Sequence, residues 1–421
     1  YEAKSLAECA CQIVRCCPIF FRKDVLAVAG LSAVIFLPDD TGKTGLARPL
    51  LLQNLMGAPL LSWLVDSLAA GGVERFFLVC RPACEAAARD CFPEGKELVV
   101  AEEGKAAALF SDFLAAAGDD QTDVIVVTGP CVLLPYDAEI LALPGAPEAS
   151  NLLCVKKTVL QQALADKADL LPVLEAEAAP YTDRDGAFTI ESLAQLTDFQ
   201  PLLNRAHLYR LAETGVEIWD FGNTYIDPTV TVAPGVTILP GTILRGKTTV
   251  AAGCVLGPNT YVEDSTFGAG TIVNSSQVFR AELGEGCHVG PFAYVRAGTK
   301  AGNHVKIGDF VEVRSVTLGD NAKVAHLSYV GDSEVGSGAQ LGCGAITVNY
   351  DREKKYRTVI GENAFIGSNV NLVAPITVGK EAYVAAGSTI TEDVPPLSLA
   401  IARARQSHKR EWAGKFKLKK P

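Results

Sequence analysis

Apolar residues recur along this chain at two different periods. From Ser32 to about Tyr209, short apolar runs alternate with segments of helical spacing. Ala33–Leu37, Phe76–Cys80, Leu98–Val100, Val124–Thr128 and Leu152–Val155 predict buried strands, and Leu60–Ala70, Cys84–Cys91 and Lys105–Ala117 predict the helices between them. Such alternation predicts a mostly parallel sheet covered on both faces, a Rossmann-like α/β domain. Asp198 is placed to cap a further helix running through Leu203, Leu208 and Leu211 to Gly215.

After Trp219 the period becomes six. Ile226, Val232, Ile238, Leu244, Val250, Leu256 and Val262 are aliphatic, each six residues from the last. The phase slips and resumes at Leu283, Val289, Val295, Ala301, Ile307 and Val313, and again at Leu318, Val335 and Ile360. Hexapeptide periodicity predicts a left-handed parallel β-helix, with three hexapeptides per coil and coils stacked ~4.8 Å apart. About 165 residues then give roughly nine coils. Asn349–Thr358 breaks the period and carries Arg352, Lys354, Lys355 and Arg357. A charged insertion in a solenoid is a surface loop, and such loops lie on the binding face.

Composition narrows the function classes. The chain has 421 residues and a formal net charge of −10, which argues against a nucleic-acid binder. Charged residues make up 20% and hydrophobic residues 48%, the balance of a globular protein and not a disordered one. No apolar run reaches the ~18–20 residues of a membrane span, so no membrane partner is expected. The twelve cysteines form no regular framework, which fits a reducing cytoplasm. Cys9, Cys11, Cys16 and Cys17 cluster, but no second cluster of zinc-site spacing accompanies them, and no metal site is expected. His288, His304 and His326 lack the close pair that a zinc anhydrase on this scaffold needs.

His326 is the strongest chemical candidate. It sits among ladder positions of a solenoid with an apolar interior, so its ring is expected to point outward. Imidazole suits a general base near neutral pH. Glu312, Arg296, Arg314, Lys355 and Tyr329 fall within a few coils, a set suited to an anionic substrate.

The stretches Val295–Gly298, Gly308–Glu312, Ala325–Asp332, Gly342–Asp351, Phe365–Ser368 and Leu372–Lys380 closely resemble a known family. It is the bacterial bifunctional N-acetylglucosamine-1-phosphate uridyltransferase/glucosamine-1-phosphate acetyltransferase. The resemblance runs from about Asp198 to the C-terminus. It implies acetyl transfer from acetyl-CoA to the amine of glucosamine 1-phosphate, with His326 as base and Glu312 as the acid near it. It implies that Arg296, Arg314 and Lys355 hold the sugar phosphate and that Tyr329 and Gln340 contact the sugar. Cys343, Asn349, Tyr350, Ser368, Ala386 and Arg403 match acetyl-CoA positions, Asn349 and Tyr350 lying on the loop that helps form the site. It also implies a homotrimer with sites between neighbouring β-helices. Three positions depart from the family: its Lys is Arg314 here, its Asn is Gln340, and its Ala is Cys343.

The first half resembles the family's uridyltransferase domain in a degenerate form. Asp39 and Asp40 replace small residues in the loop after the first strand, and Pro49-Leu50 replaces Pro-Lys. Gly129-Pro130 and Leu203 stand where the family has a metal-binding Asp and Asn. Mg²⁺ needs oxygen ligands, so it is expected only if this domain is active. Gly42-Lys43-Thr44 is no P-loop, because Leu37 occupies the required glycine position. The expected organisation is an extension over 1–30, a degenerate nucleotidyltransferase-like domain over 31–197, a linker helix over 198–217, the β-helix over 218–402 and a basic tail over 403–421. A fully bifunctional enzyme and a non-catalytic scaffold are the alternatives.

Overall fold

The computed structural model describes residues 31–415 apart from 104, 118–121, 134–148, 167–169 and 183–185. The N-terminal extension with its four clustered cysteines, and the last six residues of the basic tail, lie outside the described residues. The chain divides into two compact units between Ala206 and His207.

The first unit is built on a six-stranded mixed sheet. Its strands are β1 (Leu31–Phe36), β2 (Val73–Cys80), β3 (Glu97–Glu102), β4 (Asp123–Val127), β5 (Ala149–Lys156) and β6 (Ala179–Thr182). They lie in the order β3-β2-β1-β4-β5-β6. β1 to β4 run parallel, and β5 and β6 each run antiparallel to their neighbour. Helices α1 (Leu60–Ala70), α2 (Pro82–Arg89) and α3 (Ala107–Ala115) connect the parallel strands. Alternation within each strand sorts side chains onto two faces. Ala33, Ile35, Phe76 and Leu78 enter one core, while Val34, Phe77, Val79 and Val126 enter the other. Both faces are covered, which is why the parallel strands read as unbroken apolar runs.

Helix α4 (Leu193–Glu213) begins five residues before Asp198. Its start is fixed at Ser192, whose Oγ accepts the Gln195 N–H, while Gln195 Oε1 accepts the Glu191 N–H at 2.7 Å. Ser192 thus satisfies one first-turn donor and Gln195 holds the N–H just ahead of the helix, which sets the start before Asp198. Pro201 therefore lies inside the helix. Leu196 and Leu203 pack into the first unit's core, and Leu208 packs into the second's.

The second unit is a parallel β-helix of three faces. On the first face Ile238, Leu256, Val273, Val289, Ile307, Val324, Leu341, Ile366 and Val384 pair in succession, all buried. The second face stacks Leu244, Val262, Val278, Val295, Val313 and Val330. The third stacks Val250, Phe267, Leu283, Ala301, Leu318 and Val335. The slips of phase have a structural cause. Leu244 pairs with Val262, 18 residues on, but Val262 pairs with Val278 after 16 and Val313 with Val330 after 17. Corners are shortened while the ladders keep register. Leu341 pairs with Ile366 after 25 residues, because that coil holds the Asn349–Thr358 excursion.

Candidate active site

The edge between the first and second faces carries His326 and several of the other candidate residues. Along it the Leu327 N–H donates to Asp309 O, Gly344 to His326 O, Asn369 to Cys343 O, and Gly387 to Ser368 O. These bonds stack Asp309, His326, Cys343, Ser368 and Ala386 in one column, one coil apart. The next residue in each coil has a left-handed backbone: Phe310 (φ 54), Leu327 (φ 51), Gly344 (φ 73), Asn369 (φ 55) and Gly387 (φ 72). The repeated corner makes the column's side chains project alike. Arg403 reaches the far end, where a Cβ added at Gly387 would lie 3.7 Å from Arg403 Cδ. Positions scattered over 326–403 in sequence thus occupy a strip about four coils, roughly 20 Å, long.

His326 projects outward, with 49% of its side chain exposed. Its Nδ1 pairs with a carboxylate oxygen of Asp309. That bond is the chief cause holding the Asp309 carboxyl below its usual range. Glu312 is the other carboxylate expected near the histidine. In the structure Glu312 accepts from Arg296 Nη1 at 2.7 Å. The signal for Asp309 lay in the spacing, since it precedes His326 by 17 residues, one local coil.

Peptide orientation at Cys343 matters more than its thiol. The Gly342 carbonyl accepts from Ser328 Oγ, which is buried inside the coil. Across a trans peptide the N–H points opposite to the carbonyl, so the Cys343 N–H faces outward. It has no hydrogen-bond partner among the described residues. An unpaired N–H one coil from an outward imidazole is a ready donor for a developing oxyanion.

The second face flanks this edge with polar groups. Tyr294, Glu312, Tyr329 and Ile346 are successive ladder partners on its outer side. Arg296 lies over the Tyr294 ring, 5.4 Å from its centroid, and Arg314 pairs in register with Gly331. Gly331 leaves room for the Tyr329 hydroxyl, which would lie 2.4 Å from a Cβ there. Asn349 Nδ2 donates to Asp332 Oδ2 at 2.6 Å and approaches the same hydroxyl at 3.5 Å. The loop is tightly organised beyond it. Asp351 accepts from the Lys354 and Glu353 N–H groups and from the Tyr356 hydroxyl, which pull its carboxyl down to about 2. Tyr350 and Lys355 bridge across the loop. Arg314 and Lys355 have no ion-pair partner among the described residues, whereas Arg296 has Glu312. Gln340 stands apart, on the first face between Lys323 and Phe365.

In the first unit, the loop after β1 is occupied by its own contacts. Asp39 accepts from the Thr41 N–H and pairs with Arg81, and Asp40 accepts from the Leu50 N–H at 3.1 Å. Asn151 Nδ2 donates to Pro130 O at 3.1 Å, and Leu203 is buried in the apolar core. Among the described residues no group of three or more His, Cys, Asp or Glu is placed to hold a metal ion. No helix among them is long and apolar enough to cross a membrane.

Comparison with known proteins bears on this geometry. Residues 357–392 match the family described as bacterial transferase hexapeptide (six repeats). The chain is 45% identical over 260 residues to the bifunctional protein GlmU of Clostridium acetobutylicum, covering 60% of this chain and 56% of that protein. It is 45% identical over 249 residues to the GlmU of Carboxydothermus hydrogenoformans, covering 58% and 56%. The Arabidopsis UDP-N-acetylglucosamine acyltransferase structure superposes with a TM-score of 0.29 at 15% identity, covering 42% of this chain and 71% of that one. The chain spans about half the length of the curated relatives it matches. The ladder thus agrees with a match to a hexapeptide-repeat family over residues 357–392, and over about 60% of its length the chain is homologous to bacterial bifunctional GlmU proteins.

Proposed function

We propose that the β-helix transfers acetyl from acetyl-CoA to the amine of glucosamine 1-phosphate. The observation that carries this reading is the edge itself, where an outward imidazole adjoins an unpaired N–H in the next coil. His326 Nε2 takes a proton from the amine as its nitrogen bonds to the thioester carbon. The Cys343 N–H steadies the oxyanion, the C–S bond breaks, and CoA leaves as thiolate, which the proton from His326 neutralises. Ser368, Ala386 and Arg403 continue the strip along which CoA lies, with Arg403 meeting its phosphates. Arg314 and Lys355 carry uncommitted charge for the sugar phosphate, and Arg296, already joined to Glu312, orders that carboxylate beside Tyr329. Gln340 contacts the sugar only from the first face. Free thiol released from acetyl-CoA in the presence of the sugar phosphate tests the reading.

A second activity is not supported by the first unit. A phosphate cradle needs free N–H donors and cations. Here Thr41 and Leu50 give their N–H groups to Asp39 and Asp40, and the nearby Arg81 is held by Asp39. Pro130 and Leu203 offer Mg²⁺ no side-chain oxygen. We infer that uridylyl transfer has been lost, and pyrophosphate release from UTP and N-acetylglucosamine 1-phosphate would overturn that.

A further inference from the structure

We propose that Asp309 is a positioning residue for this transfer, holding the His326 ring in the tautomer whose Nε2 is open to the amine. The inference rests on the acetyl-transfer reading above and adds a residue to it. Asp309 and His326 occupy the same corner of successive coils, and the Leu327 N–H to Asp309 O bond fixes them in register. Both corners turn through the same left-handed backbone, at Phe310 and Leu327, so the two side chains run parallel. The coil rise of ~4.8 Å then sets carboxylate against imidazole. Asp309 Oδ1 meets Nδ1 and not Nε2.

That choice of nitrogen determines what the ring can do. A carboxylate only accepts, so Nδ1 carries the proton and Nε2 keeps its lone pair. Nε2 lies on the far side of the ring from Asp309. When the amine attacks the thioester carbon, Nε2 takes the amine proton, and the resulting imidazolium rests against the Asp309 carboxylate. The proton then passes to the departing thiolate, and the ring returns to its starting form. Asp309 neither gains nor loses a proton in this cycle. Other groups are poorly placed for the task. Glu312, the nearer carboxylate in sequence, is engaged by Arg296. Lys306, which also acts on Asp309 electrostatically, brings no acceptor.

Two readouts separate positioning from mere structure. In ¹⁵N NMR of the imidazole, His326 of the wild-type chain is expected as the Nδ1–H tautomer, shifting toward Nε2–H in Asp309→Ala. Asp309 is one-third exposed, and Asp309→Asn keeps its shape should alanine perturb the corner. In steady-state assays either variant is expected to lose about 10- to 100-fold in kcat, part of what a general base supplies. Both KM values should stay within about twofold, because a positioning residue acts through the ring and not by binding substrate. A wild-type His326 protonated at Nε2 would overturn the proposal, as would variants with wild-type kcat. The two readings fail differently. Wild-type protein that transfers no acetyl overturns both, whereas turnover abolished by His326→Ala yet untouched by Asp309→Ala overturns this one alone.

Discussion

At the scale of single residues, the site depends on which charges are already spent. Glu312 and Arg296 satisfy each other at 2.7 Å, while Arg314 has no ion-pair partner among the described residues. Arg314→Ala is therefore expected to raise the KM for the sugar phosphate about tenfold or more, the weight of one charge-assisted hydrogen bond. Steady-state kinetics with varied sugar phosphate check this, and an unchanged KM would remove Arg314 from the phosphate site. Arg403→Ala should act on the other substrate, raising the acetyl-CoA KM and leaving that of the sugar unchanged. Residue types near His326 were legible in the sequence, but their pairing was not. Asp309 and Glu312 are both carboxylates within one coil of His326, and only the corner geometry decides that Asp309 meets the ring.

At the scale of elements, the hexapeptide period revealed the ladders because every sixth residue must fill the same narrow interior. The helix at 193–213 was less legible. Its start at Ser192 is fixed by contacts with Gln195, while Asp198, a capping residue type, lies inside the helix. The strand at Leu152–Val155 was legible but its antiparallel direction was not, because an apolar run does not record its direction, and the short β6 offers no apolar run. Leu341 is 2% exposed in the ladder between Val324 and Ile366. Leu341→Ala is expected to cost about 2–5 kcal/mol in denaturant unfolding, since stacked coils cannot collapse onto the void. A loss under about 1 kcal/mol would mean a looser interior than the ladder implies. The loop responds to acid instead. Its Asp351 carboxyl titrates at about 2, below the unfolded value of ~3.9. Depression favours the ionised form, so its ordering effect is full above about pH 4 and is lost as pH falls through about 2. Hydrogen-exchange protection of the Glu353 and Lys354 amides should follow that window. Protection already lost near pH 5 would contradict the anchoring role.

At the scale of the whole molecule, the edge bearing His326 is convex, and small-molecule sites need concavity to bury their ligands. Phe292, Phe310 and Leu327 stand exposed along the same edge, the first two stacked at 5.3 Å between ring centroids. We propose that three copies close around these edges, each cleft joining the His326 edge of one β-helix to the flank of the next. Light scattering is expected to give three times the 44.5 kDa chain mass, and a monomer at working concentration would defeat the shared cleft. The proposed trimer, the charge on Arg403 and the inferred loss of activity in the first unit all matter only if the edge performs chemistry. That is tested most directly by mixing the protein with acetyl-CoA and glucosamine 1-phosphate and following free thiol, beside the His326→Ala variant. The account predicts turnover by the wild-type chain and a loss of at least about 100-fold in the variant; no turnover, or turnover undiminished by the substitution, would contradict it.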